Sequence, residues 1–192
     1  MTATTDRHRA EPHRGRAGEV SPSKLAHVVL RTAHIGAARD WYVEVLGCQV
    51  MFDGGFLCFL SYDDEHHRVA LVSVPDAAPP DGHTGLEHVA FTYAGLGDLV
   101  ATYQRLADAG ITPHWCINHG PTTSLYYHDP DGNQVELQVD NFDSEDDLAA
   151  WFRSGAFASN PIGVEFDPAE LAAKYEAGVP AADLLARDRD QG

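Results

Sequence analysis

Apolar and polar positions follow two rhythms along this chain, and the rhythms come in the same order twice. LAHVVLRT (25–32) is apolar and β-branched and predicts a strand. HIGAARDWYVEVLG (34–47) follows with Ile35, Ala38, Trp41, Tyr42 and Val45 at helical spacing, and Gly47 stands where the helix should end. CQVMF (48–52), GFLCFLSY (55–62) and HRVALVSV (67–74) are then three short strands between Gly/Asp-rich turns. After the linker DAAPPDGHTG (76–85) the order returns. LEHVAFTY (86–93) predicts a strand, LGDLVATYQRLADAG (96–110) an amphipathic helix, and ITPHWCI, TSLYYHD and NQVELQV three further strands.

Each half is therefore βαβββ, and the halves align at their ends. HVV at His27 matches HVA at His88, and FLSYDDEHHRVAL (59–71) lies on LYYHDPDGNQVEL (125–137) without a gap, pairing Val69 with Val135 and Leu71 with Leu137. Neither half can bury a sheet face alone. The expected fold is α+β, with two tandem modules (about 24–75 and 85–141) sharing one curved mixed sheet inside a domain spanning 23–141. Residues 1–22 contain few large apolar residues and no apolar core of a secretory signal, so they read as a disordered tail. Residues 142–192 read as a helical extension. Asp167 is its clearest cap, with Pro168 at the first helical position and Gly178 closing.

Composition narrows the function by exclusion. A net charge of −16 argues against a nucleic-acid backbone or an anionic membrane as partner. No apolar run approaches the roughly 20 residues of a membrane span. Cys48, Cys58 and Cys116 are scattered and odd in number, so neither a CxxC metal pair nor a disulfide framework is expected, and a reducing, cytoplasmic setting is.

The chemistry-bearing residues are those that do not suit apolar strands. One histidine in such a strand is ordinarily a hydrogen-bonded core or edge residue. His27 and His88, however, stand at repeat-equivalent positions, where pseudo-twofold packing turns both imidazoles toward one centre. Glu136 is a carboxylate in a core-like strand and needs a partner. Its counterpart is Ala70, so a duplicated four-ligand site would here hold His27, His88, Glu136 and a vacancy. Two histidines and one carboxylate with open positions opposite suit non-haem Fe(II), and on ligand type alone zinc or nickel also fits.

The duplicated unit resembles the vicinal-oxygen-chelate superfamily, over about Lys24 to Asn141. Within it, INHGPTTSLYYHDPDGNQVE resembles the signature of type I extradiol ring-cleaving dioxygenases. His119, Leu125–Tyr126, Asp129–Pro130, Gly132 and Glu136 fill its slots at permitted spacings. The DPDGN turn is common across the superfamily, whereas His119, Tyr126 and Glu136 together are selective. The resemblance implies His27, His88 and Glu136 as ligands of Fe(II), ahead of Mn(II), with His119 and Tyr126 beside the substrate oxygens. His67, second of the pair in EHHRVAL, is implied as the acid–base residue, while His66 reads as a solvated turn residue. His34, His83, His114 and His128 match nothing and read as surface or turn residues. The implied partners are an aromatic diol and O₂, with a homo-oligomer possible in this family. Many members carry an additional N-terminal pair of modules that this chain lacks. A glyoxalase-like isomerase is the first competing expectation, but it needs a fourth ligand that Ala70 cannot supply. A metal-free antibiotic-sequestering protein is the second, but it has no use for the His119–Tyr126 pair. Trp151, Phe152 and Phe157 are expected either to wall a ring-binding site or to cover a sheet edge.

Overall fold

The computed structural model describes residues 24–75 and 86–187. The expected tail, the linker and His83 lie outside them. The first module runs β1 (Val28–Thr32), α1 (Ile35–Leu46), β2 (Gln49–Asp53), β3 (Leu57–Ser61) and β4 (Val69–Ser73). The second repeats it as β5 (His88–Thr92), α2 (Leu96–Asp108), β6 (Trp115–Asn118), β7 (Thr122–His128) and β8 (Gln134–Asp140). The extension adds α3 (Glu145–Arg153), α4 (Ala156–Ser159), β9 (Val164–Glu165), α5 (Pro168–Glu176) and α6 (Ala181–Leu185). The α+β class and both βαβββ units are as the sequence led one to expect.

Hydrogen bonding runs within each module, giving two mixed sheets of order β1-β4-β3-β2 and β5-β8-β7-β6-β9. In each, the first strand pairs parallel to the last and the remaining pairs are antiparallel. The modules nevertheless share one core. Ala38, Tyr42 and Val45 of α1 and Leu99 and Leu106 of α2 pack with Cys58, Leu60, Val69 and Leu71 of the first sheet and Leu125, Tyr127, Val135, Leu137 and Val139 of the second. Side chains alternate across a strand, so the residues between these point to the opposite face. That face carries Phe59 and Ala70 in the first module, and Tyr126 and Glu136 in the second.

Register refines the gapless alignment. Val29 lies opposite Ala70 and Ala90 opposite Glu136, so β1 and β4 superpose on β5 and β8 as expected. In the adjacent strand, however, Phe59 lies opposite Ala70 and Tyr126 opposite Glu136. Phe59, not Leu60, is thus the counterpart of Tyr126. The β3–β4 connection is one residue longer than β7–β8, and a gapless alignment slips by one across it. Such a slip would exchange core face for open face, so burial fixes the true register.

The HDPDGN turn between β7 and β8 fastens the two modules together. The buried Asp129 carboxylate accepts from the backbone amides of Asp131 and Asn133 and from the Asn133 side chain. It also accepts from the Tyr42 hydroxyl of α1 at 3.0 Å, while Asp131 accepts from the Ala33 amide. Asp167 caps α5 by accepting from the Ala169 and Glu170 amides. Helices α5 and α6 then close on α2 through Ala172, Leu171 and Leu184 against Leu96 and Val100. The three cysteines are free, and no helix among the described residues is long and apolar enough to cross a membrane.

Candidate metal centre and active site

Strand alternation and the two registers place the polar residues in two groups. In the second module, β5 and β8 bring the His88 Nε2 to 3.0 Å from the Glu136 Oε2. Glu136 is only 4% exposed, so its carboxylate has exchanged water for this imidazole and for Tyr126 across the β7–β8 ladder. The Tyr126 and His88 rings meet edge-to-face at 5.4 Å. Burial first, then the charge of Glu136 and contact with it, hold the Tyr126 hydroxyl well above the ordinary tyrosine range. It is a proton donor at every physiological pH. Its oxygen lies 3.0 Å from the His119 Nε2.

The first module gathers His27, His66 and His67. The His27 and His67 rings are 4.3 Å apart, and the two adjacent histidines face each other Nδ1 to Nδ1 at 2.6 Å, sharing one proton. His67 is buried and stacks flat on Phe59 at 4.3 Å, whereas His66 is exposed. Burial, then the charges of His27 and His66, lower the affinity of His67 for a proton, so it is a neutral base at pH 7. His27 itself, one residue ahead of β1, is exposed. It lines a cavity of about 220 Å³ at the seam, opposite Val89 to Thr92 of β5.

Of the three expected metal ligands, the structure thus brings His88 and Glu136 into contact and puts His27 with His66 and His67. Among the described residues no three His, Cys, Asp or Glu side chains gather closely enough to hold a metal ion. The His88–Glu136 pair nevertheless supplies an imidazole nitrogen and a buried carboxylate oxygen side by side, a donor set that fits a divalent first-row metal. Ala70, 2% exposed at the position equivalent to Glu136, offers no donor.

Several residues that the sequence reading missed complete the second group. The β6–β7 hairpin outruns its counterpart in the first module, and His119 stands on the added length. Trp115 lies opposite Tyr126 with rings 4.9 Å apart, and its Nε1–H donates to the Glu165 carboxylate at 2.8 Å. Glu165 belongs to β9, an element of two residues that adds to the outer edge of β6. The legible signal for Trp115 is its alternate spacing with His119, the residue just past the end of β6. Trp151 is buried against Gly120, where a Cβ would run into the indole, and against Phe142. It wedges the hairpin tip, and Phe152 and Phe157 beside it stay exposed. His114 and His128 stack face to face at 4.0 Å on the hairpin's far end, and His34 precedes α1 without capping it.

The repeated module, the open face and its residues define the class. Residues 24–137 match the family described as Glyoxalase/Bleomycin resistance protein/Dioxygenase superfamily, and the chain belongs to it. The chain is 48% identical over 159 residues to biphenyl-2,3-diol 1,2-dioxygenase 2 of Rhodococcus globerulus, covering 82% of this chain and 84% of that protein. It is 45% identical over 167 residues to biphenyl-2,3-diol 1,2-dioxygenase 3 of the same organism, covering 85% and 88%. A solved glyoxylase/bleomycin resistance protein/dioxygenase domain from Frankia sp. EAN1pec shares the fold, with a TM-score of 0.52 at 21% identity over 62% of this chain and 93% of that one.

Proposed function

We propose that the protein cleaves the ring of a catechol-type aromatic diol beside its two hydroxyls, with both atoms of O₂ entering the product as a semialdehyde or keto acid. The catalytic domain is residues 23–141, completed by the extension. The observation that carries the reading is the buried Glu136 carboxylate on His88, flanked by the Tyr126–His119 pair. Similarity to two diol dioxygenases over more than four fifths of the chain supports it. The ligands in this reading are His27, His88 and Glu136, and the metal is Fe(II). Bound there, Fe(II) would acidify the diol and give it a common meeting point with O₂.

The chain's own groups move the protons. His67, kept neutral by burial, accepts a proton from one diol hydroxyl and returns it later in the cycle. Tyr126 keeps its proton, resting it on the His119 Nε2 and turning it to the substrate oxygen as charge grows there. His119 orients that hydroxyl through the 3.0 Å contact. Trp115, fixed by Glu165, offers a flat apolar surface beside Tyr126 for an aromatic ring. The isomerase reading gains nothing here, since its fourth ligand would have to come from Ala70.

The test is oxygen uptake by protein loaded anaerobically with Fe(II) and then given biphenyl-2,3-diol or catechol in air. One O₂ consumed per diol, a yellow product and two ¹⁸O atoms from ¹⁸O₂ are expected. No uptake with any diol, or turnover with zinc or nickel alone, overturns the reading.

A further inference from the structure

His119 is held from behind by the segment that follows the duplicated modules. Its Nδ1 lies 2.5 Å from the backbone carbonyl of Ile162. A carbonyl can only accept, so Nδ1 carries the hydrogen and, in the neutral ring, Nε2 is left as the acceptor. The Ile162 carbonyl is aimed by a turn built on Asn160. The Asn160 Oδ1 accepts from the amides of Ile162 and Gly163, and its Nδ2 donates to the Gly163 carbonyl at 2.8 Å. Gly163 has φ 127°, and a Cβ there would collide with the Asn118 carbonyl, so the turn presses directly on the strand that leads into His119. Arg187 ties the two sides together. Its Nη1 donates to the His119 carbonyl at 3.0 Å and its Nη2 to the Asn160 carbonyl at 2.8 Å.

We infer that Asn160 and Arg187 are positioning residues that lock His119 in its Nδ1–H form and thereby decide where the Tyr126 proton points. This rests on the ring-cleavage reading for its catalytic consequence but not for its geometry. Tyr126 has one proton and two acceptors within reach, His119 and Glu136. With Nδ1–H fixed, the His119 Nε2 accepts from Tyr126, and the Tyr126 hydroxyl leaves the Glu136 carboxylate to His88 or a cation. In the other tautomer Nε2–H would donate to the Tyr126 oxygen. The Tyr126 hydroxyl would then rest on Glu136, a charged and stronger acceptor that holds the proton back from the substrate and competes with a cation for the carboxylate.

The experiment combines long-range ¹H–¹⁵N NMR on the metal-free, ¹⁵N-histidine-labelled full chain with steady-state kinetics of the Fe(II)-loaded enzyme. His119 is assigned by comparison with His119→Gln. The wild type is expected to show Nδ1–H at His119. In Asn160→Ala and Arg187→Gln the ring should become a tautomer mixture, with kcat down about tenfold, the usual cost of losing an outer-sphere partner. KM should change less than twofold, and Arg187→Lys should restore most of kcat. A wild-type His119 in the Nε2–H form overturns the inference, and that readout stands even where a variant fails to fold. Loss of kcat with the tautomer unmoved, or a moved tautomer with kcat unchanged, overturns it as well. If the wild type cleaves no diol, the functional reading fails on its own, and the NMR still decides whether the clamp sets His119.

Discussion

The two modules are the same fold written with different chemistry on one face. Where the second has Glu136, Tyr126 and the extended hairpin with His119, the first has Ala70, Phe59 and a short turn. Phe59 does not repeat the role of Tyr126. It stacks on His67 and keeps that ring buried. The outer edges differ as well. Strand β6 is covered by β9, while β2 is exposed along its whole length. Duplication therefore supplied the scaffold and two equivalent histidines, and divergence made one half hold charge and donors while the other holds a neutral base.

The most disruptive way to erase that difference is to write the second module's carboxylate into the first. Ala70→Glu buries an uncompensated charge and should destabilise the metal-free protein by several kcal/mol in urea unfolding. Added divalent metal should recover part of the loss. Making the second module like the first at the neighbouring position is gentler. Tyr126→Phe should keep the fold and lower kcat about 10²-fold, the low end for a lost proton donor, and a fully active variant would remove Tyr126 from the account. The bond that couples the halves is probed by Tyr42→Phe. It removes one buried donor from Asp129 and should cost about 1.5–3 kcal/mol in urea unfolding, with the site residues untouched.

The smallest effect is on pH dependence. His67 binds a proton less readily folded than unfolded, so the unfolded chain takes up more protons on acidification. The stability His67 confers is complete above the ordinary histidine value and falls as pH drops below about 6.5. Comparing Tm at neutral and acid pH, wild type against His67→Gln, should show a shallower acid loss in the variant.

Much of this contrast was legible in the sequence, because strand alternation and helical spacing are local. The elements of both modules, the caps of the extension and the Ala70–Glu136 asymmetry all follow from such patterns. What was not legible depends on lengths and tertiary contacts. The extra residue between Phe59 and Ala70 is invisible to an alignment that tolerates it, yet it moves the counterpart of Tyr126 by one. Strand β9 is two residues long and exists because β6 offers it an edge. Trp115 reads as one more aromatic until Glu165 fixes its indole. The part played by Asn160 and Arg187 emerges only when NPIG (160–163) and Arg187 meet at His119, and no local period announces that.

The proposed reaction needs one metal between the halves, held by His27 from the first and by His88 and Glu136 from the second. It is tested most directly by metal stoichiometry after anaerobic loading with Fe(II), in wild type and Glu136→Ala. One iron per wild-type chain and none retained by the folded variant are expected. A Glu136→Ala protein that keeps a full equivalent of iron would contradict it.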